Sequence, residues 1–195
     1  PASSSGSGIF LIGDSLTTVD WTSNLGDIPW GVAEGDCVVI GGDGSFRGAR
    51  DLCLHGIPTV GIPGTIDNDI SCTDYTIGFD TCLNTVIEAV DRLRDTSSSH
   101  ERCSGVEVMG NHAGYIAVNA AISCGAEVCL IPEKEWDLQK DVLDVIVAGR
   151  ERGKQHNLVI VAEGAGKGMQ IAKAISDHIG HDTRATILGH IQRGG

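Results

Sequence analysis

The sequence predicts an α/β protein in which parallel strands are joined by crossover helices. Short apolar runs alternate with stretches of helical period. Glycines stand where the helical stretches stop. Hydrophobic content of 41%, charged content of 21% and 27 glycines describe a globular chain with many tight turns.

In chain order, Ile9–Ile12 is the first strand candidate and Cys37–Ile40 the second. A helix over Phe46–His55 follows and stops at Gly56, then a strand at Thr59–Ile62. The longest helix is expected over Phe79–Arg94, where Cys82, Leu83, Val86, Ile87, Val90 and Leu93 make one apolar stripe; it joins two lobes. Val106–Met109 reads as a strand, Tyr115–Cys124 as a helix ended by Gly125, and Val128–Ile131 as a strand. A helix over Asp137–Arg150, a strand at Leu158–Val161, a helix over Met169–Ile179 before Gly180, and a strand at Ala185–Leu188 complete the series. Residues 13 to 35, with Trp21 and Trp30, show no firm period, and residues 1–8 are linker-like.

At 195 residues the chain forms one large or two small lobes. The formal charge of −12 opposes nucleic acid and anionic membranes, so a phosphorylated ligand must be met by local clusters of cations. No apolar run approaches the ~18 residues of a membrane span. The seven cysteines are odd in number and show no CxxC pair, which fits a reduced, cytoplasmic protein.

Two loops carry chemistry. Cys37–Ile40 leads into Gly41-Gly42-Asp43-Gly44-Ser45, where glycines at a strand end let backbone N–H groups approach phosphate and the following helix N-terminus favours its charge. Asp43 suits a phosphate-bound Mg²⁺, although a structural turn is as common a use of such glycines. The next strand leads into Pro63-Gly64-Thr65-Ile66-Asp67-Asn68-Asp69, with two carboxylates and a hydroxyl at a strand end. Asp67 and Asp69 could be plain turn residues; two acidic loops after consecutive strands, lying side by side, weaken that reading.

Six blocks in order, GGDGS at 41–45, PGTIDNDI at 63–70, TDYTIGFDT at 73–81, DRLRDTSSSHER at 91–102, VEVMG at 106–110 and RATILGHIQRGG at 184–195, resemble the ATP-dependent phosphofructokinases over residues 36–195. The resemblance implies three-layer parallel-sheet lobes of the phosphofructokinase type: a partial ATP-binding lobe at 9–78 and a fructose 6-phosphate-binding lobe at 79–195. It implies that Gly42, Asp43, Gly44 and Ser45 meet ATP phosphates, with Asp43 helping to hold Mg²⁺. Asp67 would be the general base, with Thr65 and Asp69 alongside. Thr65, Ile66, Asp67, Met109, Gly110, Asn111, Glu163, His190 and Arg193 would line the sugar-phosphate site, while Arg102 and Arg184 would reach into the site of a neighbouring subunit. Small residues at Gly44 and Gly64, where pyrophosphate-using relatives carry Asp and Lys, imply ATP. Arg94, Glu127, Arg152 and Lys154 resemble part of the family's regulatory nucleotide site, and the family forms homotetramers.

The chain departs from the family at Asn111, where the family carries Arg, and in residues 1–35, which lack the N-terminal glycine-rich loop. Loss of a cation at 111 would cost transition-state stabilisation. The chain stops inside the last block, as a trimmed, rebuilt or partly recorded chain would. Two other readings follow. One is a non-catalytic sugar-phosphate or effector-binding module. The other is a serine esterase, because Gly13-Asp14-Ser15-Leu16 after an apolar run copies the nucleophile block of the Gly-Asp-Ser-Leu hydrolases; Asp177-His178 has the wrong spacing to complete it.

Overall fold

The computed structural model describes residues 7–12, 15–20, 37–71, 73–99, 102–180 and 182–194. Its elements are β1 (Ser7–Ile12), β2 (Ser15–Asp20), β3 (Cys37–Gly41), α1 (Asp43–Leu54), β4 (Thr59–Pro63), α2 (Phe79–Ser99), β5 (Cys103–Val108), α3 (Tyr115–Cys124), β6 (Val128–Leu130), α4 (Asp144–Glu151), β7 (Asn157–Ala162), α5 (Gly168–Ile179) and β8 (Thr183–Ile187). They fall into two compact units, one drawn from Pro1–Thr65 and Ile70–Ile77, the other from Ile66–Asp69 and Gly78–Gly195.

The first unit holds a sheet in the order β2-β1-β3-β4. β3 and β4 are parallel in full register, from Cys37 beside Thr59 to Gly41 beside Pro63. β1 joins β3 in parallel at Ile12 and Ile40, whereas β2 folds back antiparallel on β1 and forms the edge. β2 was not expected, because its strand preference comes from Thr17, Thr18 and Val19 rather than from apolar alternation. β1 takes in Ser7 and Gly8 of the opening Ser/Gly stretch; Trp21 and Trp30 lie outside the described residues.

The second unit holds a parallel sheet in the order β6-β7-β5-β8. Every residue of β5 and of β7 is buried, as a parallel strand covered on both faces requires. Side chains alternate between two cores. Val106, Val108, Leu158 and Ile160 pack with Val86 and Val90 of α2 and Ile116 and Ala120 of α3. Val159 and Val161 pack with Ile146 of α4 and Ile171 and Ile175 of α5. This is the three-layer architecture expected from the sequence.

Two helices differ from their expected extent. α2 continues past Arg94 to Ser99 through a polar run that carries no apolar stripe. The helix expected over 137–150 opens instead as a π-helical turn, Leu138–Leu143, before α4. Asp137 caps that turn by accepting the Lys140 N–H at 3.0 Å, while Asp141 Oδ2 accepts the Asp137 N–H at 2.7 Å. Gly125 and Gly180, both left-handed, end α3 and α5 as expected.

Candidate functional site

In the first unit, the residues expected to form a phosphate loop are built at the carboxyl ends of β3 and β4. α1 begins at Asp43, earlier than the sequence indicated, so Asp43, Gly44 and Ser45 form the helix's first turn behind the extended Gly42. Their backbone N–H groups are therefore helix-terminal donors. The Gly64 N–H donates to the Gly41 carbonyl at 3.0 Å and ties the two strand ends together. A Cβ at Gly42 would stand 3.5 Å from Thr65 Oγ1, so the two loops lie against each other through Thr65. Gly44 has open space where a side chain would go. Asp43 pairs with Arg47 at 2.7 Å, an exposed i,i+4 contact of little energetic weight that a competing cation could displace.

No group of three or more His, Cys, Asp or Glu residues could hold a metal among the described residues. The donor set at Asp43 and Ser45 is oxygen only. It fits Mg²⁺ held chiefly by phosphate oxygens and water with one or two protein carboxylates, and it does not fit a metal caged by protein alone.

In the second unit, Asn68 takes a left-handed backbone, φ 55°, between Asp67 and Asp69, a conformation Asn tolerates better than most residues. The Oδ1 atoms of both aspartates are shut away from solvent. Burial and, next, the nearby Asp67 carboxylate push the Cys82 thiol up to about 12.

The carboxyl ends of β5, β7 and β8 gather the other expected sugar-phosphate residues. Past β5 the chain turns sharply: Gly110 has φ 134° and Asn111 φ 52°, and the Ala113 N–H closes the turn on the Gly110 carbonyl at 2.8 Å. Glu163, past β7, accepts the Asn111 N–H at 2.9 Å, while its own N–H donates to the Val108 carbonyl. Gly164 must be glycine for this approach, since a Cβ there would lie 2.4 Å from the Asn111 carbonyl oxygen. Past β8, a 3-10 turn at Gly189–Arg193 carries exposed His190 and Arg193. Met109, Gly110, Asn111, Glu163, His190 and Arg193 thus share the strand ends at which open α/β sheets place ligands.

Three residues that hold this site were not singled out from the sequence. Gln192, fully buried, accepts the Met109 N–H at 3.2 Å and donates to the Gly189 carbonyl at 2.9 Å, pinning the 3-10 turn to the end of β5. Glu107 accepts the Gly168 N–H at 2.7 Å and caps the start of α5. Glu133 accepts the Gly114 N–H at 2.7 Å. A lone carboxylate within the apolar run Val106–Met109, and a Gln between His190 and Arg193, were the available signals.

Arg102 and Arg184 both pair with Asp182. Of the expected regulatory residues, Glu127, Arg152 and Lys154 line one pocket of 660 Å³, where Lys154 pairs with Glu127. Arg94 is used elsewhere, donating to the Cys124 carbonyl at the end of α3. The esterase reading is corrected: Ser15 opens an edge strand opposite Ile12 instead of standing at a strand-to-helix turn, the position a nucleophile elbow uses. Gly13 and Asp14 lie outside the described residues.

Fold and loops together define an α/β protein whose glycine-rich strand ends are suited to phosphorylated ligands. Residues 35–195 match the sequence profile of the phosphofructokinase family. The chain is 57% identical over 158 residues to the ATP-dependent 6-phosphofructokinase of Brevibacillus brevis and 58% identical over 158 residues to that of Bacillus thuringiensis. Each alignment covers 81% of this chain and 49% of the relative, so the chain spans about half the length of these curated relatives. Among solved structures, phosphofructokinase from Saccharomyces cerevisiae superposes with a TM-score of 0.75 at 35% identity, covering 83% of this chain and 26% of that one. Pichia pastoris phosphofructokinase in the T-state gives 0.76 at 28% identity, with 83% of this chain and 19% of that one covered. The chain belongs to the phosphofructokinase family.

Proposed function

We propose that this chain serves ATP-dependent phosphorylation of fructose 6-phosphate to fructose 1,6-bisphosphate. The observation that carries the proposal is the convergence of Met109, Gly110, Asn111, Glu163, His190 and Arg193 at the carboxyl ends of three parallel strands, held there by Glu163 and Gln192. Relatives named ATP-dependent 6-phosphofructokinase support it, and neither alternative reading is favoured.

In this reading, residues 9–78 supply an ATP-binding lobe and 79–195 the sugar-phosphate lobe. Gly42, Asp43, Gly44 and Ser45 receive the nucleotide phosphates on helix-terminal N–H groups. When bound, Mg²⁺ supplies charge neutralisation on the phosphates, with Asp43 as its protein carboxylate. Asp67 takes the proton from the sugar 1-hydroxyl as that oxygen bonds to the γ-phosphorus and the γ-phosphorus to bridging-oxygen bond breaks, releasing ADP. Thr65 and Asp69 flank the base. Ile66, Met109 and Gly110 shape the sugar pocket, Glu163 and Asn111 face its hydroxyls, and His190 and Arg193 meet the sugar phosphate. Arg102 and Arg184 serve the site of a second copy, so the working protein is a homo-oligomer, a tetramer in the family's manner. Glu127, Arg152 and Lys154 belong to a regulatory nucleotide pocket, with Arg94 outside its lining. We place the protein in the cytoplasm; no helix among the described residues is long and apolar enough to cross a membrane.

Asn111 carries no charge, and its left-handed backbone suits Asn better than the family's Arg. The test is fructose 1,6-bisphosphate formation with MgATP before and after Asp67→Asn. A loss of about a hundredfold or more is expected on removing a general base, whereas equal rates would remove Asp67 from the role.

A further inference from the structure

The chain has 14 lysines and arginines against 26 aspartates and glutamates, so two cations drawn together at its surface require an explanation. Arg102 stands immediately before β5, and Arg184 is the second residue of β8. Those strands are parallel neighbours with Cys103 beside Thr183 and Ser104 beside Arg184, so both arginines stand at the amino end of the same strand pair.

Asp182, immediately before β8, holds both. Its Oδ2 lies 2.7 Å from Arg102 Nε and its Oδ1 3.1 Å from Arg184 Nε. Arg184 Nη2 also donates to Oδ2, at 3.3 Å. Two guanidinium groups share this one carboxylate. Among the described residues no second carboxylate pairs with either arginine.

Stability alone is a poor account of this arrangement, because exposed ion pairs contribute little and the three side chains are 31%, 45% and 69% exposed. The carboxylate grips the guanidinium groups by their Nε edges. Asp182 meets Arg102 at Nε, and the planar guanidinium fork is the group with which Arg binds phosphate oxygens in pairs. The carboxylate also offsets the mutual repulsion of the two cations while no anion is bound.

We propose that Asp182 is a positioning residue that holds Arg102 and Arg184 as one preformed clamp for a phosphate monoester dianion. The proposal rests on the reading above, in which these arginines meet a sugar phosphate, and it adds the residue that sets their geometry. Asn is a poor replacement for Asp182, since a neutral amide offers one oxygen where the carboxylate sets a charged oxygen beside each Nε.

The test titrates inorganic phosphate into the full chain while the Nε–H resonances of Arg102 and Arg184 are followed by NMR, with assignments from Arg102→Lys and Arg184→Lys. Both signals are expected to move together along one binding curve. Asp182→Asn should weaken phosphate binding roughly tenfold, the scale of one lost charge-assisted hydrogen bond, and Asp182→Glu should recover part of it. In turnover, Asp182→Asn should raise KM for the sugar phosphate and leave kcat unchanged. Unchanged or tighter phosphate binding in Asp182→Asn, or two signals in the native chain that ignore phosphate, would overturn the proposal. If the chain fails to turn over fructose 6-phosphate while phosphate still moves both signals through Asp182, the assigned activity fails and the clamp stands.

Discussion

Among the described side chains, β5 and β7 of the second unit are buried more fully than β3 and β4 of the first. In the second, β5 and β7 are buried at every position and have an apolar cluster on each face. In the first, among the described residues, the buried cluster is Cys37, Val39 and Ala49, with Leu52 and Ile57 against it, while Ile40 and Val60 stay 38% and 37% exposed. The loops follow the same division. The second unit fixes its candidate site with buried or half-buried side chains, Glu163, Gln192 and Glu107, each accepting a backbone N–H. The first fixes its loops with backbone bonds, Gly64 to Gly41 and Ile77 to Pro63, and an exposed Asp43–Arg47 pair. The difference teaches that the loops at the strand ends of the second unit are organised by that unit's side-chain packing, whereas the glycine-rich loops of the first are organised by backbone geometry.

The largest effect that tests this contrast comes from the cores. Ile160 and Val39 are both fully buried, but Ile160 sits in the central layer of the second unit. Ile160→Ala is expected to cost about 2–5 kcal/mol, the range for a truncation that leaves a cavity. Val39→Ala should cost less, about 1–2 kcal/mol, because fewer groups are removed. Urea unfolding followed by backbone exchange at Ile160 and at Val39 would compare them. Equal losses would break the distinction between the units.

Legibility in the sequence follows the same line. The second unit's strands and helices could be read because burial on both faces demands continuous apolar runs, such as Leu158–Val161, ended by glycines such as Gly125 and Gly180. β2 could not be, since an edge strand built on Thr17 and Thr18 shows no apolar alternation in its sequence to announce it. The site loops were visible as glycine and acidic clusters. Gln192, Glu107 and Glu133 were not, because their roles lie in accepting backbone N–H groups from residues distant in sequence. Likewise, the sequence placed Asp43 in a loop, whereas an acidic residue behind Gly42 is a good first residue for α1.

A smaller effect compares two glycines, one in each unit. Gly164→Ala would drive a Cβ to 2.4 Å from the Asn111 carbonyl, and the 109–111 turn would have to shift. A cost of about 1–3 kcal/mol is expected, as for other overpacked sites, and, on the proposed function, weaker fructose 6-phosphate binding. Gly44→Ala meets nothing within 4 Å and lies in the first turn of α1, so a gain of about 0.4–1 kcal/mol is expected from the reduced freedom of the unfolded chain. Thermal melts of the two variants would decide it. A Gly44→Ala variant as damaged as Gly164→Ala would show that the first unit's loop is packed as tightly as the second's.

The smallest effect is in alkaline stability. Burial first, then the Glu127 charge, raises the Cys103 thiol from 9.0 to about 12, against a lowering by Arg150 and a hydrogen bond from Thr183; Cys82, buried beside Asp67, also reaches about 12. Both belong to the second unit. In the first, Cys37 is raised as well, by burial and then by Cys53. Between pH 9 and 12 the unfolded chain's thiols lose their protons while the folded chain keeps those at Cys82 and Cys103. The unfolded state then binds fewer protons, so stability falls as pH rises through this window and is fully retained below it. The measurement is a difference between two proteins: urea unfolding of the native chain and of Cys103→Val at pH 8 and at pH 10. The native chain should lose more stability between those two values than the variant, by less than about 1.4 kcal/mol for each pH unit, the limit for one group. Equal losses would place the Cys103 thiol in contact with solvent and count against the dry second core on which the contrast between the units rests.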